Sequence, residues 1–462
     1  MSGTIEQAAI SKFEDSFTGE VITPGGPAYE AARHVWNASI DKRPALIVRP
    51  GTTADVAAAV RFAREQDLLL AVRGGAHSVA GHGTCDGGLV IDLSGMKRVD
   101  VDASARRARV QGGCVWGDVD AATQSFGLAT TGGLISSTGV GGFTLGGGVG
   151  WIQRKYGLSC DNLISVELVT ANGNIVEASD DNEPELMWGL RGGGGNFGIV
   201  TSFEFQLHPV GPEIMAGMIL FPGDRARDVL EFYREQDTDA PAEMGLGAVL
   251  RLAPAAPFVP EDVQGTPVVA LAAVHCGSLA DGERGMKPIK DLGEPIADLI
   301  TARPYLEMQR MLDASWLEGF QNYWKAEFMT GIPDAAIDAL IEYLQTITSP
   351  LSDFKFPLLG GAIARVGEDD TAYSHRSAPF VININSRWAD PDDSERHIAW
   401  TRSLWDAMQP FSDGGVYSNF MDADEAGRLE DSFGAAKFER LRALKRKYDP
   451  ANLFRVNQNI EP

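Results

Sequence analysis

The sequence predicts an α+β protein in two parts, one punctuated by glycine turns and one built as an antiparallel sheet covered by helices. Three observations carry that reading. The chain has 462 residues, 44% of them hydrophobic, which is more than a single compact core usually holds. Its 52 glycines are concentrated in the first 200 positions and follow no collagen period. Beyond residue 209 the pattern changes to apolar runs that alternate with amphipathic segments.

From residue 44, PALIVRPGTTADVAAAVRFAREQDLLLAVRGG reads as strand, turn, helix and strand. Thr53 is placed to cap the helix, in which Val56, Ala59, Val60 and Ala63 recur at helical spacing. GGLVIDLSGM and RVDVDASARRARVQGG supply short strands, and VWGDVDAATQSFGL supplies another helix. LISVELVTANGNIVEAS predicts a hairpin that turns at Asn172-Gly173. PELMWGLRGGGGNFGIVTSFEFQLHPV gives a helix, a glycine loop and a strand ending at Pro209. After it, EIMAGMILFP, EMGLGAVLRLAP, GTPVVALAAVHC, FPLLGGAIARVG and APFVININSRW read as strands. DRARDVLEFYREQ, DAAIDALIEYLQTI and SERHIAWTRSLWDAM read as the helices between them. The tail AAKFERLRALKRKYDPANLFRVNQNIEP is a basic helix stopped by Pro450, then an extended segment. The chain thus divides into residues 1–209, 210–414 and a closing segment 415–462 that is expected to return to the first part.

A formal net charge of −23 argues against a nucleic-acid or anionic-membrane surface, which needs concentrated Lys and Arg. MSGTIEQAAISKFEDSF has no basic region ahead of an apolar stretch, so no signal peptide is expected. No uninterrupted apolar run is long enough for a bilayer. Cys85, Cys114, Cys160 and Cys276 are scattered, without CxxC or metal-ligand spacing, and read as reduced residues of a cytoplasmic protein that binds no metal.

Three glycine blocks stand out: RGGAHSVAGHG, TGGLISSTGVGGFTLGGGVGW and RGGGGNFGIV. Successive bare N–H groups form concavities for phosphate oxygens, and glycine permits close approach of backbone to ligand. Three blocks in one domain point to a large phosphate-bearing cofactor. Neither a Walker A motif nor a strand-linked GxGxxG with its acidic partner is present, which argues against P-loop and Rossmann readings.

Taken together, PALIVRPGTTADVAAAV, RGGAHSVAGHG, VGGFTLGGGVGW and YDPANLFRVNQNI closely resemble the berberine-bridge-enzyme-like flavoproteins of the vanillyl-alcohol-oxidase/PCMH superfamily, in the same order over nearly the whole chain. The resemblance implies a PCMH-type FAD-binding domain made of residues 1–209 with the tail. It also implies an inserted α+β substrate domain over the flavin. Cofactor contacts are then expected from Arg73, Gly74, Gly75, Ala76, His77, Ser78 and His82 in the first block, and from Thr138, Gly139, Gly142 and Gly148 in the second. Val200, at the end of the third block, is expected to join them. Asn457 and Asn459, two apart on an extended segment, are expected to face the same side.

In this family the histidine at the position of His77 bonds covalently to the flavin 8α carbon. The cysteine that makes a second bond in many relatives is replaced here by Ile135, so the resemblance implies a monocovalent flavin of the 6-hydroxynicotine-oxidase type. Thr138 falls near the family's oxygen-gating position. The implied reaction is hydride transfer from a C–H beside an OH or NH of a small organic substrate to FAD, with dioxygen reduced to hydrogen peroxide. A dehydrogenase with another acceptor, or a flavin-loaded binding protein, are the alternatives. YSNFMDAD matches the family's tyrosine stretch, with Phe420 where relatives carry a base. Tyr417, Tyr323 and Lys325 are therefore the expected catalytic residues, with Lys325 lowering a phenol's pKa if it faces the flavin.

Overall fold

A computed structural model describes residues 5–15 and 17–462. The first half holds two main sheets and a two-stranded pairing of Leu128–Ala129 with His208–Pro209. In one, Glu20–Ile22, Leu46–Arg49, Leu89–Asp92 and Leu70–Arg73 lie side by side, the last three parallel. In the other, Val99–Asp102, Arg107–Gln111, Ile199–Gln206, Leu163–Val169 and Ile175–Ser179 are all antiparallel. The hairpin between Leu163–Val169 and Ile175–Ser179 turns through Gly173, at φ +74°.

The helix Thr53–Glu65 joins these sheets, and its cap lies one residue earlier than the sequence predicts. Thr52 accepts the Asp55 amide at its hydroxyl, while the Asp55 carboxylate accepts the Thr52 amide. Thr53 instead donates its hydroxyl to Glu167 at 2.6 Å, tying the helix to the second sheet. Val56, Ala59, Val60 and Ala63 are buried against the first sheet.

Residues 213–388 make one eight-stranded antiparallel sheet. Its order is Ala297–Asp298, Glu213–Pro222, Pro267–His275, Met244–Leu252, Asp353–Pro357, Phe380–Trp388 and Gln321–Met329, with Thr301–Pro304 also beside Glu213–Pro222. FPLLGGAIARVG does not form the single strand expected of it. Gly360 and Gly361 take φ +73° and +57°, ending the extended run, and Ala362–Arg365 forms a short helix. Helices Ala226–Asp239, Leu279–Lys290, Asp334–Leu344 and Ser394–Met408 cover one face of the sheet with a large apolar core. The other face turns toward the first half.

The helix Ala435–Tyr448 packs back on the first half, with Leu441, Leu444 and Tyr448 in the same core as Trp188 and Phe197. At its end Lys445, fully buried, pairs with Asp449 at 2.8 Å and donates to the carbonyls of Asn196 and Phe454. Asn196 in turn accepts the Ile460 amide and donates to the Gln458 carbonyl. Among the described residues no helix is long and apolar enough to cross a membrane.

Candidate active site

A cavity of about 350 Å³ lies where the two smaller sheets, the tail and the large sheet meet. One wall is backbone. The strand Leu70–Arg73 ends in a turn where Ala76 adopts φ +59°, and Gly74, Gly75, Ala76, His77, Ser78 and His82 line the space. Facing this turn is the loop that enters the helix Val140–Leu145, with Thr138, Gly139 and Gly142 on the lining. The two loops touch through bare main chain. A Cβ on Gly75 would lie 2.3 Å from the Gly139 nitrogen, and one on Gly139 would lie 2.2 Å from the Gly75 nitrogen. Neither position has room for a side chain. Val200 and Asn457 complete this wall.

His77 sits at the junction. Its ring stacks on Trp36 with centroids 5.0 Å apart, and its Nε2 meets the Ser137 hydroxyl at 2.8 Å. Burial pushes the imidazole down to about 4, so the ring is neutral near pH 7. Ile135 lines the cavity and packs with Trp36, Trp316 and Trp324.

Five predicted site residues stand elsewhere. Arg73 lies behind the turn, where its Nε donates to the Gly83 carbonyl at 3.0 Å and its guanidinium to that of Ala32, so it shapes the loop without reaching the cavity. Gly148 is also outside: its amide donates to the Tyr417 hydroxyl, and a Cβ there would strike Ser159 at 2.4 Å. The tail bends over residues 456–458, which cancels the two-residue alternation. Asn457 and Gln458 therefore face the cavity while Asn459 does not.

Tyr323 and Lys325 occupy alternate positions of Gln321–Met329 that point at the helix-covered face. Tyr323 donates to Asp424 at 2.6 Å, and Lys325 pairs with Asp424 at 2.7 Å and Glu425 at 3.5 Å. Burial opposes ionisation of Asp424. Its hydrogen bonds from Lys325, Tyr323 and Arg402 nevertheless hold the carboxyl down to about 2. Both residues thus lock the C-terminal segment to the sheet, and the cation expected beside a catalytic phenol is not Lys325.

Tyr417 does line the cavity, but as an anchor. Its oxygen accepts the Gly148 amide at 2.9 Å and the Asn419 side-chain amide at 2.8 Å, which occupies both lone pairs of a neutral phenol. Burial pushes it up to about 12. The two donors favour the phenolate but do not offset burial, and a base at neutral pH needs a depressed value.

The second wall is made of side chains. From Gln321–Met329, Trp324 faces inward; from Phe380–Trp388, Asn383 and Asn385; from Asp353–Pro357, Lys355. Register places Lys355 opposite Asn383, Asn383 opposite Ala326, and Trp324 opposite Asn385. Trp316 and Phe420 close the sides. Arg387, next on the same face, holds the Trp316 loop by donating to the carbonyls of Ser315 and Leu317. None of the expected site residues belongs to this wall. Its signal is a polar residue at every second place of VININSR and SDFKFP, inside strands that are otherwise apolar.

The backbone wall fits a large phosphate-bearing cofactor. Cβ atoms on Gly142 or Gly195 would meet nothing within 4 Å, so the space beside them is open. His82 Nε2 and Asn457 Oδ1 are buried on this lining without a partner, and buried polar atoms left so ask for a guest.

Fold and site together define a PCMH-type flavoprotein. The model for an FAD binding domain matches residues 44–179, and the berberine and berberine-like model matches residues 416–461. An FAD-linked oxidoreductase of Dictyostelium discoideum is 32% identical over 458 residues, covering 98% of this chain and 97% of its own. The (R)-6-hydroxynicotine oxidase of Paenarthrobacter nicotinovorans is 32% identical over 461 residues, covering 97% of both chains. The crystal structure of 6-hydroxy-D-nicotine oxidase from Arthrobacter nicotinovorans superposes with a TM-score of 0.87 at 30% identity, covering 96% of this chain and 98% of that one. Xylooligosaccharide oxidase from Myceliophthora thermophila gives 0.85 at 25% identity, covering 98% and 99%. The chain belongs to the berberine-bridge-enzyme-like FAD-linked oxidoreductases, and it is an FAD-dependent enzyme.

Proposed function

We propose that the protein is an oxidase that removes hydride from a C–H bearing an OH or NH on a small organic substrate and delivers the electrons to dioxygen, with FAD tied to His77 by a single covalent bond. One observation carries the reading. A single cavity runs from the glycine cradle and the neutral imidazole of His77 to a wall of oriented side chains, so cofactor and substrate share one enclosure. Relatives named as oxidases of a hydroxynicotine and of xylooligosaccharides support the choice of dioxygen.

FAD, when bound, would supply a two-electron acceptor for the hydride and a donor to dioxygen. The chain's own work is attachment, orientation and exclusion of water. His77 is the attachment point, and the neutral ring is its nucleophilic form. No cysteine lines the cavity among the described residues, and Ile135 offers no second bond. Thr138, on the lining, takes the place that family resemblance assigns to oxygen access. Trp324, Trp316 and Phe420 hold a flat substrate by packing.

The proton from the adjoining O–H or N–H is assigned to solvent, given up by the substrate before hydride transfer. Phe420 has none to exchange, Tyr417 is held protonated by burial, and Tyr323 and Lys325 lie on the far face of the sheet.

Two measurements test the proposal. Acid-precipitated protein should keep its yellow colour, and His77→Ala should lose it; free FAD in the supernatant of the wild type overturns the covalent link. Photoreduced protein mixed with air should reoxidise with release of hydrogen peroxide. Reduced flavin that persists in air but discharges to an artificial acceptor makes the enzyme a dehydrogenase.

A further inference from the structure

We propose that the side-chain wall is a recognition site for an ionised or strongly accepting oxygen carried by a flat aromatic substrate. This deepens the oxidase reading and rests on it for the identity of the bound molecule as substrate.

The wall presents donors without acceptors to match. Lys355 Nζ gives two of its three hydrogens to Asp353 and Asn385, each at 2.9 Å. Because Asn385 Oδ1 receives the ammonium, the orientation of that amide is set, and its Nδ2 is left aimed onward. Asn385 Nδ2 and Asn383 Nδ2 are both buried without a partner, in side chains only 0% and 1% exposed. All three residues line the cavity from neighbouring strands. A third ammonium hydrogen and two amides therefore converge on space that nothing in the protein fills.

The charge balance gives the sign of the guest. Burial, Arg251 and Arg387 lower the Lys355 pKa while Asp353 raises it, so one carboxylate stands among three basic groups. No carboxylate lines the cavity among the described residues. A protonated amine would meet the ammonium with no counter-ion, whereas an oxyanion would satisfy three buried donors at once. The walls set the shape. The Trp316 and Trp324 rings stand 5.7 Å apart at 85°, Phe420 meets Trp324 edge-on at 6.0 Å, and Lys355 lies 4.1 Å over the Trp316 ring. These surfaces suit a planar ring and hold its oxygen toward the donors.

The test titrates flavin-loaded protein by calorimetry with benzoate, benzyl alcohol and benzylamine at neutral pH. Benzoate is expected to bind at least about tenfold more tightly than benzylamine, with the alcohol between them. Lys355→Met and, separately, Asn383→Leu should each weaken benzoate about tenfold or more while changing benzyl alcohol by less than about threefold. Retained flavin absorbance checks the fold of each variant, and the ranking of probes on the wild type needs no variant at all. Benzylamine binding as tightly as benzoate, or benzoate binding unchanged in Lys355→Met, overturns the proposal. Reoxidation in air, measured on the same preparation, separates the outcomes: its failure removes the oxidase reading and leaves the ranking of probes standing.

Discussion

The two walls of the cavity reach the same end by opposite means. On one side, the turn after Leu70–Arg73 and the loop before Val140–Leu145 meet main chain to main chain, and the surface offered is amide groups and empty space. On the other, strands that are 30 residues apart in the chain, such as those carrying Lys355 and Asn385, place oriented side chains side by side. At Gly75 and Gly139 the first wall tolerates no side chain, because a Cβ there collides with the opposite loop. The second is built of side chains, so a substitution there changes the groups offered to a guest. Phosphate-bearing cofactors are alike across a family and substrates are not, so the division suits the two guests.

The comparison can be broken at its strongest point first. Gly139→Val should push the two loops apart and abolish flavin incorporation, read as the loss of visible absorbance from purified protein. Next comes the tail that closes the backbone wall. Lys445→Met leaves the Asp449 charge buried with only the Leu453 and Phe454 amides, and is expected to cost on the order of 3–5 kcal/mol in denaturant unfolding.

Lys325→Met sharpens the contrast between faces of one strand. It should destabilise by a few kcal/mol, roughly 2–3, yet leave benzoate affinity unchanged, since Trp324 next to it is the residue that faces the cavity. Asp424 gives the same lock a pH signature. Its folded pKa is depressed to about 2. The stability it contributes is therefore complete above the ordinary carboxylate range near 4 and is lost as pH falls from there toward about 2. Asp424→Asn should flatten acid unfolding in that window.

The smallest effect is expected at Tyr417→Phe, which removes an acceptor for two donors but no base. Flavin reduction should slow by less than about tenfold; a loss near 10²-fold would return the proton to Tyr417.

The backbone wall was legible in the sequence because glycine announces itself: a run such as RGGAHS marks both the turn and the bare surface. Of that block, only Arg73 lies off the lining, since its guanidinium is spent on the carbonyls that shape the loop. The side-chain wall was hard to read because its members meet through strand order, which local pattern does not encode. Tyr323 and Lys325 were assigned to the site on residue type, although alternation allows either parity of a buried strand to face inward. Only the lock to Asp424 decides which. The tail misled for a related reason: the two-residue rule holds on an extended segment, and a bend at residues 456–458 removes it.

The stack of Trp36 on His77, with Trp316 and Trp324 each within 6.0 Å of Trp36, has an optical consequence. These three indoles crowd the point where the cofactor is held, and an isoalloxazine absorbs where tryptophan emits. Energy absorbed by the cluster is expected to drain into bound FAD by resonance transfer, so ultraviolet emission should fall as the site fills. Emission intensity thus becomes a clock for cofactor capture, readable in the native state as the apoprotein fills.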